Sequence, residues 1–333
     1  MKTIQLLIIL SAICKFSYSQ AESGFESLMK TYHERFDSNQ ISEAIDLLEK
    51  SLQTYPDRHY EINKELAIAY GHLGEFQKSF EIWNKGFESG NYYCIIPQWD
   101  IYKPFNNIDG FEEIYKKDRE IREKAILNTS IKIEILKPDN YDSIKDYPLL
   151  IVLHGGGSSN ETSMKYWRSS SLTENYIIAY LQSYLTYDMK SFGWSWDRPR
   201  TKEELKKAFK EIKNKYSIDT ARVVIGGMSA GGYVALRTSI HDLFSNIGFI
   251  AVCPDLRWGY PELSDIQSTK NKIKGYIISG DNDMCLESIE NWTHILDDSN
   301  LDYRYNIISD MGHEYPIEFS KEIEIALKFI NEE

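Results

Sequence analysis

The sequence predicts an α/β protein: a mostly parallel β-sheet with helices on both faces, preceded by a small all-α domain. Three observations carry this expectation. From about residue 125 onward, short apolar runs bounded by turn residues alternate with amphipathic stretches. Most of those runs are apolar throughout, as in strands covered on both faces. Before them, residues 25–90 read as helix from end to end.

Length and composition bound the reading. A chain of 333 residues holds one large domain or two smaller ones, and 42% hydrophobic residues suffice for a core. Its 38 Lys and Arg against 50 Asp and Glu give a formal charge of −12. That balance argues against a nucleic-acid partner, which needs clustered cations.

The first residues read as a processing segment. Lys2 is a short basic start, "IQLLIILSAIC" is an apolar stretch, and Ser17 and Ser19 are small residues three and one before a cut. We expect a signal peptide over 1–19 and a mature chain that is secreted or periplasmic. The run is short of the ~20 residues of a membrane span, and no later run approaches one, so no membrane span is expected. An acylated Cys14 is the weaker reading, because Ile13 stands where a small residue is wanted.

Cysteine and histidine usage is sparse. Without Cys14 there remain Cys94, Cys253 and Cys285, an odd number and no disulfide framework. There is no CxxC, and no two histidines lie three to five apart, so no metal is expected.

In the helical region, "SEAIDLLEKSLQTYP" and "QKSFEIWNKGF" share a pattern displaced by 35 positions: Ala44 aligns with Ser79, Leu48 with Trp83 and Ser51 with Gly86. Small residues there let helices approach, and the large ones fill the groove between them. With Pro56 at the end of the first unit, the pattern resembles tetratricopeptide helix pairs, whose period is 34; a non-repeat helical hairpin bundle is the plainer reading. Two repeats rarely bury a core unaided. We therefore expect a domain over 20–118 that leans on its neighbour and offers a surface to a protein partner. Residues 91–118, with Trp99, Pro104, Phe105 and Phe111, read as an irregular cap.

The catalytic-sized domain is expected over 119–333. "SIKIEIL" (130–136) alternates polar and apolar as a half-buried strand does. "YPLLIVL", "YIIAYL", "RVVIGG", "IGFIAVC", "KIKGYIIS" and "LDYRYNII" follow as further strand candidates. Between them, 201–216 opens with Thr201 and Glu204, spaced as a capping box, and places Leu205, Phe209, Ile212 and Tyr216 on one face. Residues 287–296 and 322–330 are helical likewise. In such a sheet, ligands sit beyond the carboxyl ends of the strands.

One strand leads directly into Gly227-Met228-Ser229-Ala230-Gly231, a G-x-S-x-G turn between strand and helix. Such a turn forces the serine into a strained conformation, and only glycines two before and two after allow the close approach. His154-Gly155-Gly156-Gly157 follows the strand "LLIVL". Its glycine N–H groups, at Gly156 and Gly157, together with that of Ala230, are the expected oxyanion hole. After a serine elbow of this kind come an acid and then a histidine. Of the three later histidines, His241 ends the helix after Ser229 and His294 lies inside a helical pattern. His313, in "DMGHEYP" between the last strand and the last helix, is the expected base. "SGDNDMC" offers Asp281 and Asp283 for the acid; Asp283 is favoured, with Asp281 serving the turn. The tryptophans Trp167, Trp194, Trp196 and Trp258 fall in loops, where they either line a pocket or pack.

These motifs, "LHGGG", "SIDTARVVIGGMSAGG", "GDND" and "GHEYP", are similar to those of the α/β-hydrolase superfamily, in the bacterial branch of carboxylesterase/phospholipase-like and feruloyl-esterase-like enzymes. "YLQS" and "WSWD" resemble a subgroup with a Gln-Ser and Trp-Asp pair between the oxyanion loop and the nucleophile. The resemblance covers some 200 residues. It implies a Ser229–Asp283–His313 triad, a small-molecule ester substrate and no cofactor. If chain order matches sheet order as in the superfamily, Cys253 and Cys285 also follow neighbouring strands and could pair. Two rival expectations stand beside the serine esterase. One is a prolyl-oligopeptidase-like peptidase, which the "ID..R" at Ile218, Asp219 and Arg222 resembles. The other is a repeat-containing binding protein on a hydrolase scaffold.

Overall fold

The computed structural model describes residues 24–269, 272–299 and 301–332. The expected signal segment and Cys14 lie outside them. The chain divides into two units, one ending at Glu123 and one starting at Lys124.

The first unit is built from helices α1 (24–37), α2 (Ile41–Thr54), α3 (His59–His72) and α4 (Phe76–Glu88), and from the start of α5 (Phe111–Asn128). The aligned positions of the 35-residue pattern are its buried stripes: Ala44, Leu48 and Ser51 on α2, Ser79, Trp83 and Gly86 on α4. Gly86 is required by close approach, since a Cβ there would lie 1.8 Å from the Tyr93 hydroxyl. Helix α3 buries Ile62 and the run Leu66–Gly71, as the middle member of a stack does. After α4 no second helix answers the first pair. Residues 91–96 form an irregular segment instead, with Cys94 at φ 58°, held by the fully buried carboxylate of Asp118 on α5, which accepts the N–H groups of Tyr93 and Ile95. A short 3₁₀ turn, Asp100–Phe105, then seats Phe105 against Trp83, ring centroids 5.0 Å apart.

The second unit is a seven-stranded sheet. Its strands are β1 (Lys132–Leu136), β2 (Tyr147–Leu153), β3 (Ile177–Gln182), β6 (Ile218–Met228), β7 (Gly248–Val252), β8 (Lys274–Gly280) and β9 (Asp302–Ile308), in the order β1-β3-β2-β6-β7-β8-β9. Within this sheet, among the described residues, only the β1–β3 pair is antiparallel. A two-stranded ribbon, β4 (Leu185–Thr186) with β5 (Phe192–Gly193), stands apart from the sheet. Pro148 in β2 lacks an N–H, and the β2–β6 register shifts there, between Tyr147 and Leu149.

Alternation within the strands feeds two faces. Leu150, Val152, Val224, Ile250 and Ile278 pack with Leu172 of α7 (Ser170–Asn175) and with Phe319, Ile323 and Leu327 of α12 (Phe319–Asn331). Leu149, Ile151, Leu153 and Ile225 pack with Leu205, Phe209 and Ile212 of α8 (Pro199–Lys215) and Val234 of α9 (Ala230–Ile240). Further along that face, Phe249 and Ile277 meet Ile289, Trp292 and Leu296 of α11 (Leu286–Asp297). The remaining helices are α6 (Asn160–Tyr166) and α10 (Leu263–Gln267). The fold is thus mixed α/β with a mostly parallel central sheet, consistent with the α/β-hydrolase architecture that the motifs resemble.

Two local expectations are corrected. The irregular cap expected over 91–118 ends at Gly110, because residues 111–118 are the first turns of α5. Helix α8 starts two residues before Thr201, with Pro199 in its first turn and no side-chain cap. Thr201 therefore lies inside the helix, where its hydroxyl meets the Tyr184 hydroxyl at 3.1 Å. Glu204 accepts the N–H of Ile131 instead of closing a capping box.

Candidate active site

Strand β6 ends at Met228, and α9 begins at Ala230, so the chain turns from strand to helix within one residue. That residue, Ser229, has φ 54° and ψ −119°, a strained conformation for a non-glycine residue. The glycines around it are dictated by contact. A Cβ on Gly227 would sit 2.4 Å from the backbone of Gly231, and one on Gly231 would sit 2.3 Å from the His154 carbonyl oxygen. The hydroxyl of Ser229 is thereby presented at the carboxyl end of the sheet, where β7 and β8 also end.

His313 arrives there from the loop after β9. Its Nε2 is 2.8 Å from Ser229 Oγ, and its Nδ1 is 2.7 Å from Asp283 Oδ1. The Asp283 side chain is fully buried, whereas His313 keeps 18% exposure. Burial by itself would raise the Asp283 carboxyl. Hydrogen bonds from His313, from the Cys285 N–H at 2.8 Å and from the Cys253 thiol outweigh it, and the carboxyl stays below its ordinary range. Ser279 donates to the other oxygen, Oδ2, at 3.0 Å. An ionised Asp283 takes the Nδ1 proton of His313 as a hydrogen bond, which leaves Nε2 free to accept the Ser229 proton.

The glycine loop after β2 is held from below by His154, which is fully buried. Its Nδ1 donates to the Gly155 carbonyl at 2.7 Å; its Nε2 accepts the Ser183 N–H at 3.2 Å and faces the Gln182 amide at 3.1 Å. A backbone N–H can only donate, so Nε2 is the unprotonated nitrogen. Burial lowers this imidazole to about 4. Gln182 also accepts the Asn160 N–H at 2.9 Å, so the Gln-Ser pair seen in the sequence ties the glycine loop to the next helix. Gly157 donates its N–H to the Phe192 carbonyl at 2.9 Å and is not free to meet an oxyanion. This removes one of the three expected donors. Gly156 lies against Ala230, and among the described residues no acceptor takes the N–H of either.

The other singled-out residues resolve as follows. His241 stacks on Trp196, and His294 is exposed on α11. Asp281 is exposed and accepts from the Asn282 amide. The turn expected of Asp281 is made by Asp283, whose carboxylate accepts the N–H two residues on, at Cys285. Trp167, Trp194 and Trp196 are packing residues, and Trp258 is 83% exposed. Cys253 and Cys285 do not pair. Both are free and buried, with Cys285 Sγ directed to Asp255 and Cys253 Sγ to the Glu314 carbonyl. Cys253, Asp283 and His313 bring ligand-type atoms within 4.8 Å of one another. The last two are already bonded to each other, and burial pushes the Cys253 thiol up, so the group is satisfied as a hydrogen-bonded cluster. Ser279 and Cys253 carry no motif; only the folded sheet brings them beneath the acid.

No family model matches the chain. Dipeptidyl aminopeptidase A of Saccharomyces cerevisiae is 27% identical over 232 residues, covering 56% of this chain and 24% of its own. The chain spans about a fifth to a quarter of the length of the curated relatives it matches. Among solved structures, an uncharacterized protein from Bacillus cereus ATCC 10987 is 25% identical with a TM-score of 0.50, covering 92% of this chain and 98% of that one. Esterase PE8 is 17% identical with a TM-score of 0.46, covering 61% of this chain and 100% of its own.

Proposed function

We propose that the chain is a serine hydrolase that cleaves carboxylic esters through an acyl-enzyme on Ser229. The observation that carries this is the unbroken chain Ser229 Oγ–His313 Nε2 and His313 Nδ1–Asp283 Oδ1, at 2.8 and 2.7 Å. His313 takes the serine proton as Oγ attacks the ester carbonyl. Asp283 fixes the imidazole tautomer and stabilises the imidazolium. The N–H groups of Gly156 and Ala230 receive the oxyanion. His313 then returns the proton to the leaving alcohol, and water, activated in the same way, releases the acid. Every step uses groups of this chain, so the reading needs no cofactor.

The purified protein tests this directly. A fluorophosphonate probe should label Ser229 in the wild type and nothing in Ser229→Ala, and short-chain esters should turn over only in the former. An unlabelled wild type with no turnover would reduce the chain to a binding protein on a hydrolase scaffold.

A peptidase is the second reading. It is favoured by the similarity to dipeptidyl aminopeptidase A, which covers 56% of this chain. Aminoacyl anilides offered beside matched esters separate the two. The helical unit is proposed to be tetratricopeptide-like and to receive a protein partner, supported by the buried 35-residue pattern of α2 and α4. Export to the periplasm or medium is proposed on the apolar N-terminal stretch, and peptide mapping of the mature N-terminus tests it. No described helix is long and apolar enough to cross a membrane.

A further inference from the structure

Gly226 is a glycine that the serine bend does not require. It lies inside β6, three residues before Ser229, where a glycine weakens a strand. The contact that demands it comes from Trp167: a Cβ at 226 would lie 2.4 Å from Cη2 and Cζ3 of that indole. Trp167 follows α6 and is fully buried. Its backbone is pinned there. The N–H donates to the Ser163 carbonyl at 2.9 Å, and the carbonyl accepts the Tyr180 hydroxyl at 2.9 Å.

A buried indole N–H needs an acceptor. Trp167 Nε1 donates to the Tyr315 hydroxyl at 3.2 Å. Tyr315 stands two residues after His313, in the loop between β9 and α12. Its ring is stacked on that of Tyr166, with centroids 4.2 Å and planes 15° apart. Phe319 packs on Tyr315 and on Trp167, each at 5.0 Å between centroids. Burial pushes the Tyr315 phenol up to about 12, so it stays a neutral hydroxyl near pH 7.

The loop that carries His313 is held on both sides. Before the histidine, the Met311 carbonyl accepts the Asn282 N–H at 3.0 Å. After it, the Cys253 thiol reaches the Glu314 carbonyl at 3.5 Å, and a thiol is a weak donor. The firmer attachment on that side is Tyr315. A path of side-chain contacts thus runs from Gly226 through Trp167 to Tyr315. From its two ends the chain continues to Ser229 and to His313, which meet at 2.8 Å. Tyr166 ends α6, the helix that follows the glycine loop, so its stack joins the base loop to the segment carrying Gly156.

We propose that the Trp167–Tyr315 hydrogen bond is a brace that sets the reach of His313 to Ser229, which makes both side chains positioning residues of the reaction. The proposal deepens the hydrolase reading of Ser229 and rests on it.

The test is steady-state kinetics on one short-chain ester, beside the rate of fluorophosphonate labelling, at a temperature where circular dichroism shows every variant folded. Tyr315→Phe keeps the stack and removes the acceptor, so kcat should fall about threefold to tenfold with KM within about twofold of wild type. Tyr315→Leu removes both and should lose about a hundredfold in kcat, which makes Phe the partial rescue. Labelling should slow in step with kcat, because His313 also takes the Oγ proton during attack on phosphorus. Trp167→Phe deletes the donor, and adding Tyr315→Phe to it should cost little more, as expected for two ends of one bond. If Trp167→Phe does not fold, the two Tyr315 variants decide alone. An unchanged kcat in both of them beside a lowered melting temperature would reduce the brace to packing and overturn the proposal. A raised KM at unchanged kcat would overturn it as well, by placing Tyr315 in the wall of the substrate site. With either result the wild type would still be labelled at Ser229, and the hydrolase reading would stand. A wild type that is neither labelled nor active on esters would overturn that reading and the brace with it.

Discussion

The Nε2 of His313 lies 2.8 Å from Oγ of Ser229, although 84 residues separate them. The distance suits proton transfer. If that transfer limits acylation, Ser229→Ala should lower kcat by about 10⁵–10⁶ without changing the fold. Circular dichroism of the variant should overlay the wild type. Residual turnover above a hundredth of wild type would place the nucleophile elsewhere.

Asp283 and Asp281 should differ sharply. Asp283→Asn removes a buried carboxylate that orients His313, and an amide holds the wrong imidazole tautomer, so kcat should fall by about 10⁴. Asp281 is exposed and bonded only to its neighbour's amide, so Asp281→Asn should stay within about 0.5 kcal/mol of wild-type stability and keep its rate. Steady-state kinetics on one short ester settles both. A dead Asp281→Asn beside an active Asp283→Asn would reverse the assignment.

Much of the site was legible because strand-to-helix turns and glycine spacing are local signals. Gly227, Ser229 and Gly231 stand in the sequence as the contacts require, and the loop after β9 pointed to His313. Local reasoning failed where partners come from afar. Asp283 makes the turn that was expected of Asp281, because its carboxylate serves His313 and the Cys285 N–H at once. Gly157 is lost as a donor to Phe192, which lies in a two-residue strand with too little periodicity to be read. Thr201 and Glu204 matched a capping box only in spacing, since Pro199 had already begun the helix. Ser279 and Cys253 support the acid with no sequence signal, because their roles depend on the order of strands in the sheet.

Gly231 should tolerate no side chain. The Cβ of Gly231→Ala would meet two backbone oxygens, of His154 at 2.3 Å and of Leu153 at 2.4 Å, and neither can rotate away. The strand and helix must part, at a cost of about 1–3 kcal/mol. Because the displacement is centred on the elbow, kcat should fall more than the loss of stability explains. Equal rates at a temperature where both proteins are folded would show that the bend has slack.

Asp118 should govern the irregular segment after α4 in the helical unit. Asp118→Ala leaves the N–H groups of Tyr93 and Ile95 without their carboxylate in a buried setting, a loss of about 2–4 kcal/mol. Limited proteolysis should then cut first between residues 91 and 98. Unchanged cleavage elsewhere in the chain would be the internal control, and an unchanged pattern at 91–98 would contradict the anchoring role.

His154 should make the protein acid-sensitive in a defined window. In the unfolded chain its imidazole protonates near the ordinary 6.5; in the fold it resists until about 4, because it is buried and Nε2 already accepts the Ser183 N–H. Between those values the unfolded state binds more protons, so stability falls as the pH falls. The loss is about 1.4 kcal/mol per pH unit and about 3 kcal/mol in all by pH 4. Asp283 adds little there, since a carboxyl held below its ordinary value gives up its contribution only as the pH drops further. Urea unfolding from pH 7 to 4 should therefore show a steeper decline in the wild type than in His154→Gln, which cannot titrate. The variant should start less stable at pH 7 and lose less on acidification. Parallel declines in the two proteins would mean that another group sets the acid limit and that His154 is protonated in the fold.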